Sequence, residues 1–164
     1  MQISTRGRYA VMAMVDLAAR QSATAGTAPV CLADIAARQQ LSLSYLEQLF
    51  SKLRRAGLVS SARGPGGGYR LARPADVLAI AEIVLAVDEP IRATRCEAGS
   101  GGCMAAPGTE PGGMQCQTHD LWFELSRQVS LFLSGITLAD VVNGNVAGRA
   151  VAMPPPDASL EAAE

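Results

Sequence analysis

The sequence predicts a mainly α chain built on a winged helix-turn-helix, followed by a glycine-rich metal-binding loop and a long C-terminal helix suited to dimerisation. Three observations lead there. Two short amphipathic segments are joined by the tight turn Gln40-Leu41-Ser42, behind an earlier helix. A hairpin pattern follows at once, with Gly64-Pro65-Gly66-Gly67-Gly68 between two strand-like runs. Further on, three cysteines and the only histidine fall within the 24 residues from Cys96 to His119.

Taken in order, Ser4 or Thr5 is placed to cap a first helix, whose apolar stripe (Tyr9, Ala10, Met12, Ala13, Val15, Leu17) runs to about Arg20. Gln21–Pro29 is small, polar and interrupted by Gly and Pro, and reads as a loop. A short helix spans Leu32 to Gln39 with Leu32, Ile35 and Ala36 inward. Ser42 or Ser44 then caps the next helix, and Ser44 with Glu47 has capping-box spacing. In that helix Leu46, Leu49, Phe50 and Leu53 share a face, and Gly57 supplies a left-handed terminator. Leu58–Arg63 and Tyr69–Leu71 are the two strands of the wing. A further helix runs from Ala79 to about Val87, with Ile80, Ile83, Val84 and Val87 on one side.

Composition shifts after that point. Glu89–Gln115 is rich in Gly and cannot bury a core of its own. A long amphipathic helix starts near Thr118 with Leu121, Trp122, Leu125, Val129, Phe132 and Leu133 at helical spacing. That stripe is wide for a domain whose three-helix core is already complete, which suggests pairing with a second copy about a two-fold axis. Thr137 and Asp140 have capping spacing for a last short helix, and the chain from residue 143 reads as a disordered tail. The division expected is a DNA-binding unit over 1–75, a linker helix, loop (90–117) and dimerisation helix over 76–142, and the tail over 143–164.

The net charge of −1 hides an asymmetry. Residues 1–75 hold ten Lys or Arg against three acids, a balance of +7, whereas residues 76–164 hold four against twelve, a balance of −8. A basic block joined to an acidic one suits a nucleic-acid reader attached to a control region. No apolar run reaches the roughly 18–20 residues that a membrane span needs. The first residues lack the basic-then-apolar layout of a signal peptide, so a cytoplasmic protein is expected. There, cysteines serve more often as metal ligands or reactive thiols than as disulfides.

In a helix-turn-helix the start of the second helix faces base edges in the major groove. That surface is Ser42, Ser44, Tyr45, Glu47 and Gln48. Gln48 can pair with adenine through two hydrogen bonds, and Glu47 can accept from cytosine N4 and repel a wrong base edge. Lys52, Arg54 and Arg55 at the helix end, and Arg6 and Arg8 at the first helix, suit phosphate neutralisation. Arg63 at the wing base, followed by Gly66, Gly67 and Tyr69, is placed to reach a minor groove. Singly, each Arg reads as well as a solvated surface charge; together they point to double-stranded DNA.

Cys116 and His119 are three apart at a helix start, so both side chains can leave one face. Cys96 and Cys103 lie upstream in a loop able to fold over that face. Free cysteines prefer burial, so three in a glycine-rich loop argue for a shared metal. Three thiolates and an imidazole suit structural zinc and an iron–sulfur cluster equally, and the gaps hold no short Cys-x-x-Cys knuckle. An imidazole can be protonated and leave, so such a centre is held more loosely than a four-cysteine one. Cys31 stands apart, a core or capping-region residue. A thiol oxidoreductase using Cys116 activated by His119 is the enzymatic alternative, but no second cysteine of a Cys-x-x-Cys pair is present.

Arg6–Val11, Ser42–Phe50, Gly57–Val59, Arg63–Tyr69, Ala86–Glu89 and Cys116-x-x-His119-x-Leu121-Trp122 together resemble the IscR family of iron–sulfur cluster regulators over roughly residues 1–142. The resemblance implies a homodimeric winged-helix transcription factor, acting as repressor or activator, that holds a [2Fe-2S] cluster and controls cluster-assembly genes. It implies Cys96, Cys103 and Cys116 as cluster cysteines and His119 as the fourth ligand, in what is then a cluster-binding loop. Cluster-assembly proteins are implied as cluster donors. Between Cys103 and Cys116 this chain carries extra residues, Met104–Gln115, beyond the family's shorter spacing. Winged-helix relatives with structural zinc, or with nitric oxide, iron or cysteine status as the sensed signal, are the neighbouring possibilities.

Overall fold

A computed structural model describes residues 4–23, 28–64, 66–87 and 117–149. Its element order is α1 (Thr5–Ala23), α2 (Leu32–Gln39), α3 (Leu43–Arg55), β1 (Val59–Ala62), β2 (Gly68–Leu71), α4 (Ile80–Ala86), α5 (His119–Ser134) and α6 (Leu138–Val142). This is the mainly α winged arrangement expected, with strand ends shifted by a residue or two and α1 three residues longer.

The helix ends follow from local chemistry. The Ser4 hydroxyl accepts the Arg6 N–H at 3.2 Å and so caps α1. Left-handed Gln40 (φ 53°) closes α2, and Leu41 donates back to the Ala36 carbonyl at 3.0 Å. At the end of α3, Gly57 has φ 71°. Its N–H reaches Arg54 O and that of Leu58 reaches Leu53 O, both at 3.0 Å. These paired bonds satisfy carbonyls that the helix end would otherwise leave open. The Thr137–Asp140 box forms as expected: the Asp140 N–H donates to Thr137 Oγ1 at 3.1 Å, and the Thr137 N–H donates to Asp140 Oδ2 at 2.9 Å.

One expected box does not form. Because α3 starts at Leu43, Ser42 holds the N-cap position, with no cap bond from its side chain. Ser44 already lies inside the first turn, and its hydroxyl meets that of Ser42 at 2.9 Å. Glu47 therefore has no capping partner in Ser44. Cys31 occupies the N-cap position of α2 and is exposed, so it belongs to the capping region and not to the core.

The core gathers Ala10, Met14 and Leu17 of α1, Ile35 of α2, and Leu46, Phe50 and Leu53 of α3. The same cluster takes in Leu78, Ile83, Val84 and Val87 around α4, with Ile136 and Leu138 from the far end of the chain. The three-helix core is therefore not complete by itself, contrary to expectation. Three apolar helices around a small hairpin leave one side open, and the α4 and α6 segments close it. Backbone bonds fasten that closure: Ile80 N–H to Ile136 O at 2.9 Å, Leu138 N–H to Leu78 O at 2.8 Å and Ala139 N–H to Ala75 O at 3.0 Å. Residues 143–149, expected in the tail, instead form turns on this platform. Val146 packs against the core, and Arg149 pairs with Asp140 at 2.6 Å. Residues 150–164 lie outside the described residues.

The wing is an antiparallel pair in the register Val59↔Leu71 to Ala62↔Gly68. Its root gains a third partner outside the named strands, since Tyr69 and Val30 exchange N–H···O bonds of 2.8 and 2.9 Å. A Cβ on Gly68 would sit 2.3 Å from Val30 O, so only glycine lets the backbone come this close.

Candidate nucleic-acid interface and metal ligands

The recognition helix α3 is half core and half surface. Leu46, Leu49, Phe50 and Leu53 are buried, and this spacing turns Ser44, Glu47, Gln48, Arg54 and Arg55 outward, where all are exposed together with Ser42. Tyr45 is half-buried, its ring edge-on to Tyr9 of α1 with centroids 6.1 Å apart. Lys52 is also half-buried. Leu43, 40 % exposed at the first turn of α3, was not singled out by periodicity, because its spacing to Leu46 and Phe50 suggests an inward residue.

The wing is tied to the same scaffold. The Tyr69 ring packs edge-on against Phe50 at 4.9 Å, so Tyr69 is half-buried and serves the wing root. Gly67 N–H donates to Gly64 O at 2.8 Å and closes the loop; Gly66 and Arg63 are exposed beside it. Arg54 reaches from α3 to Ser61 Oγ of β1 at 3.5 Å. Arg6 and Arg8 are exposed on the first turns of α1.

Two positioning groups were not visible in the sequence. Arg38 Nε lies 3.0 and 3.1 Å from the two Asp16 oxygens, and Gln39 Nε2 donates to Asp16 Oδ2 at 2.9 Å. Burial opposes the Asp16 charge, yet hydrogen bonds from Arg38 and Gln39 and the charges of Arg38 and Arg20 outweigh it. The carboxyl is held below the ordinary carboxylate range. This lock joins α1 to α2, so Arg38 is not part of the free basic surface. A second ion pair, Arg73 with Glu82, joins the exit of the wing to α4; the hydrogen bond from Arg73 lowers the Glu82 carboxyl against the opposing effect of burial.

Of the four expected metal ligands, Cys96, Cys103 and Cys116 lie outside the described residues. His119 is the first residue of α5, partly exposed, its ring stacked on Phe123 at 6.2 Å and 13°. Among the described residues no group of three or more potential ligands gathers. Three thiols with one imidazole at a helix entrance remain a fitting donor set for a [2Fe-2S] cluster or for zinc. The upstream anchor of the intervening segment, Val87, is fully buried in the core, and the helix that follows the segment, α5, packs on α4.

No residue of α5 is buried. Leu121, Phe123 and Leu131 are 61, 56 and 54 % exposed, with Trp122, Leu125 and Phe132 also exposed. Beside the C-terminal half of this helix lies an open hollow of about 590 Å³, lined by Val129, Leu131, Phe132, Ile136 and Arg149. Among the described residues no helix is long and apolar enough to cross a membrane.

Comparison with known proteins agrees with this geometry. Residues 3–144 match the Rrf2 family, described as an iron-dependent transcriptional regulator. The chain is 51 % identical over 153 residues to the HTH-type transcriptional regulator IscR of Klebsiella pneumoniae strain 342, covering 91 % of this chain and 86 % of that protein. Among solved structures, CymR, the global cysteine regulator of B. subtilis, aligns with a TM-score of 0.68 and 33 % identity over 88 % of this chain and 98 % of CymR. T. potens IscR aligns with a TM-score of 0.66 and 33 % identity over 94 % of each chain. The resemblance to IscR regulators seen in the motifs is borne out, and these relatives are named as regulators of transcription, not as enzymes. With a winged helix-turn-helix over its basic half and a family match across nearly all its described length, the chain is a DNA-binding transcriptional regulator and belongs to the Rrf2 family.

Proposed function

We propose that this chain is an iron–sulfur-cluster-responsive regulator that binds operator DNA as a homodimer and controls cluster-assembly genes. The observation that carries the DNA half is the outward face of α3, where Ser42, Ser44, Glu47 and Gln48 are exposed while the opposite face fills the core. Gln48 then reads adenine, Glu47 accepts from cytosine N4, and exposed Leu43 can pack on a thymine methyl. Lys52, Arg54, Arg55, Arg6 and Arg8 neutralise phosphates. Arg63, with Gly66 and Gly67 letting the backbone approach closely, enters the minor groove, and Tyr69 fixes the wing that carries them. Operator discrimination falls to Glu47, left without the capping role its spacing suggested.

The sensing half rests on the donor set Cys96, Cys103, Cys116 and His119 and on the 51 % identity to IscR. When bound, a [2Fe-2S] centre supplies redox- and supply-dependent occupancy. The chain's own part is mechanical. Ligation by Cys96, Cys103, Cys116 and His119 sets α5 relative to α4; α5 packs on α4, α4 shares the core with α1, and α1 carries the helix-turn-helix. The apolar face of α5 pairs with a second copy, which places two recognition helices for a two-fold operator. Cluster-assembly proteins act as donors, and the chain works in the cytoplasm. Structural zinc in the same ligands is the alternative, separated by colour: an anaerobically purified cluster protein absorbs in the visible and carries iron and sulfide, a zinc protein does neither.

A further inference from the structure

We propose that Gln21 is a positioning residue for the wing, standing in for a missing strand at the hairpin's outer edge. This rests on the reading that the wing meets DNA. β2 pairs with β1 along one edge only. On its other edge two N–H groups, those of Tyr69 and Leu71, point away from β1. Val30 takes the first, at 2.8 Å. The second is taken by a side chain: Leu71 N–H donates to Gln21 Oε1 at 2.9 Å, from a residue 50 positions earlier in the chain.

Gln21 is 6 % exposed and, among the described residues, the one polar or charged residue that is buried as a whole. No buried side-chain N or O among the described residues lacks a partner. A buried backbone donor left without an acceptor is costly, so this bond is specified and not incidental. Its location gives it a role. Gln21 lies in the last turn of α1, the helix that also packs on α4 and α6. The hairpin itself has two short strands, and such a ribbon is marginal without outside support. Val30 holds the wing to the entrance of α2, and Gln21 holds it to α1, so the two clamps together set the direction in which Arg63 projects. Any shift of α1 under the influence of α4 or α6 is handed to the wing through this amide.

The test is a double-mutant cycle on the full-length chain, reading affinity for a natural operator duplex by fluorescence anisotropy. Gln21→Met keeps the size and removes the acceptor; Gln21→Asn withdraws it by one methylene and guards against a fold defect in the first variant. Each is expected to weaken binding about tenfold, equal to about 1.4 kcal/mol. Each should also remove hydroxyl-radical protection in the flanking minor groove while sparing the major-groove positions. Combined with Arg63→Ala, the loss should be far less than additive; combined with Gln48→Ala, it should be additive. A purely structural role would couple to neither. Additive losses with Arg63→Ala, or unchanged affinity in both Gln21 variants while Arg63→Ala alone weakens binding, would overturn the inference and leave the wing reading intact. If Arg63→Ala alone has no effect, the wing reading fails and takes the inference with it.

Discussion

Asp16, Arg38 and Gln39 form a small lock between α1 and α2, and the Asp16 side chain is 7 % exposed within it. Its carboxyl is lowered in the folded state, so the linked stability is present above the unfolded value of about 4 and disappears as the pH falls through the lower folded value. Asp16→Asn is expected to lose about 1–3 kcal/mol at neutral pH, the scale of a hydrogen bond to a charged group. Denaturant unfolding should show the gap to the parent chain closing below about pH 4. On the DNA side the proposed roles sort by what each residue would touch. Gln48→Ala should cost about 1–3 kcal/mol at one base position and relax specificity there. Lys52→Ala should weaken binding on all sequences alike and reduce the salt slope by about one. Competition titrations on base-substituted operators at several salt concentrations separate the two.

At the scale of elements, the helices and the wing were legible because each obeys a local rule: period-3.6 stripes in α1 to α3, the glycine loop of the hairpin, and the Thr137–Asp140 box. Gly57 was legible as a terminator for the same reason; with its φ of 71°, Gly57→Val is expected to lose about 1–2 kcal/mol, measurable by thermal unfolding. What escaped was non-local. Ser44 and Glu47 have the spacing of a capping box, but where a helix begins is set by packing, and α3 begins two residues too early for the box to close. Gln21, placed in a loop by its polar neighbours, is helical and buried, because its acceptor is needed 50 residues away. Leu43 carries an apolar signal that spacing alone assigns inward, although it is exposed. The proposed ligand set is an expectation drawn from a cluster of residue types on one stretch of chain; of its four members, His119 alone lies among the described residues.

For the whole molecule, the joining of α4 and residues 136–142 to the core of α1 makes these two segments part of the platform that carries the helix-turn-helix. In the proposed mechanism a change between Val87 and His119 reaches α3 and the wing through the core that α4 shares with α1. The exposed apolar face of α5 gives the assembly its own test: Leu121→Asp with Phe132→Asp should convert a dimer to a monomer in sedimentation, with operator affinity falling while the helical content holds. The most direct measurement is operator binding by one anaerobic preparation, divided into a cluster-loaded half and a half stripped by chelation, with iron, sulfide and visible absorbance followed throughout. At least one class of operator should distinguish the two halves by tenfold or more, and Cys103→Ala should behave as the stripped protein without any treatment. Equal affinity of both halves for every operator would contradict the coupling between Cys96, Cys103, Cys116 and His119 and the DNA-reading face.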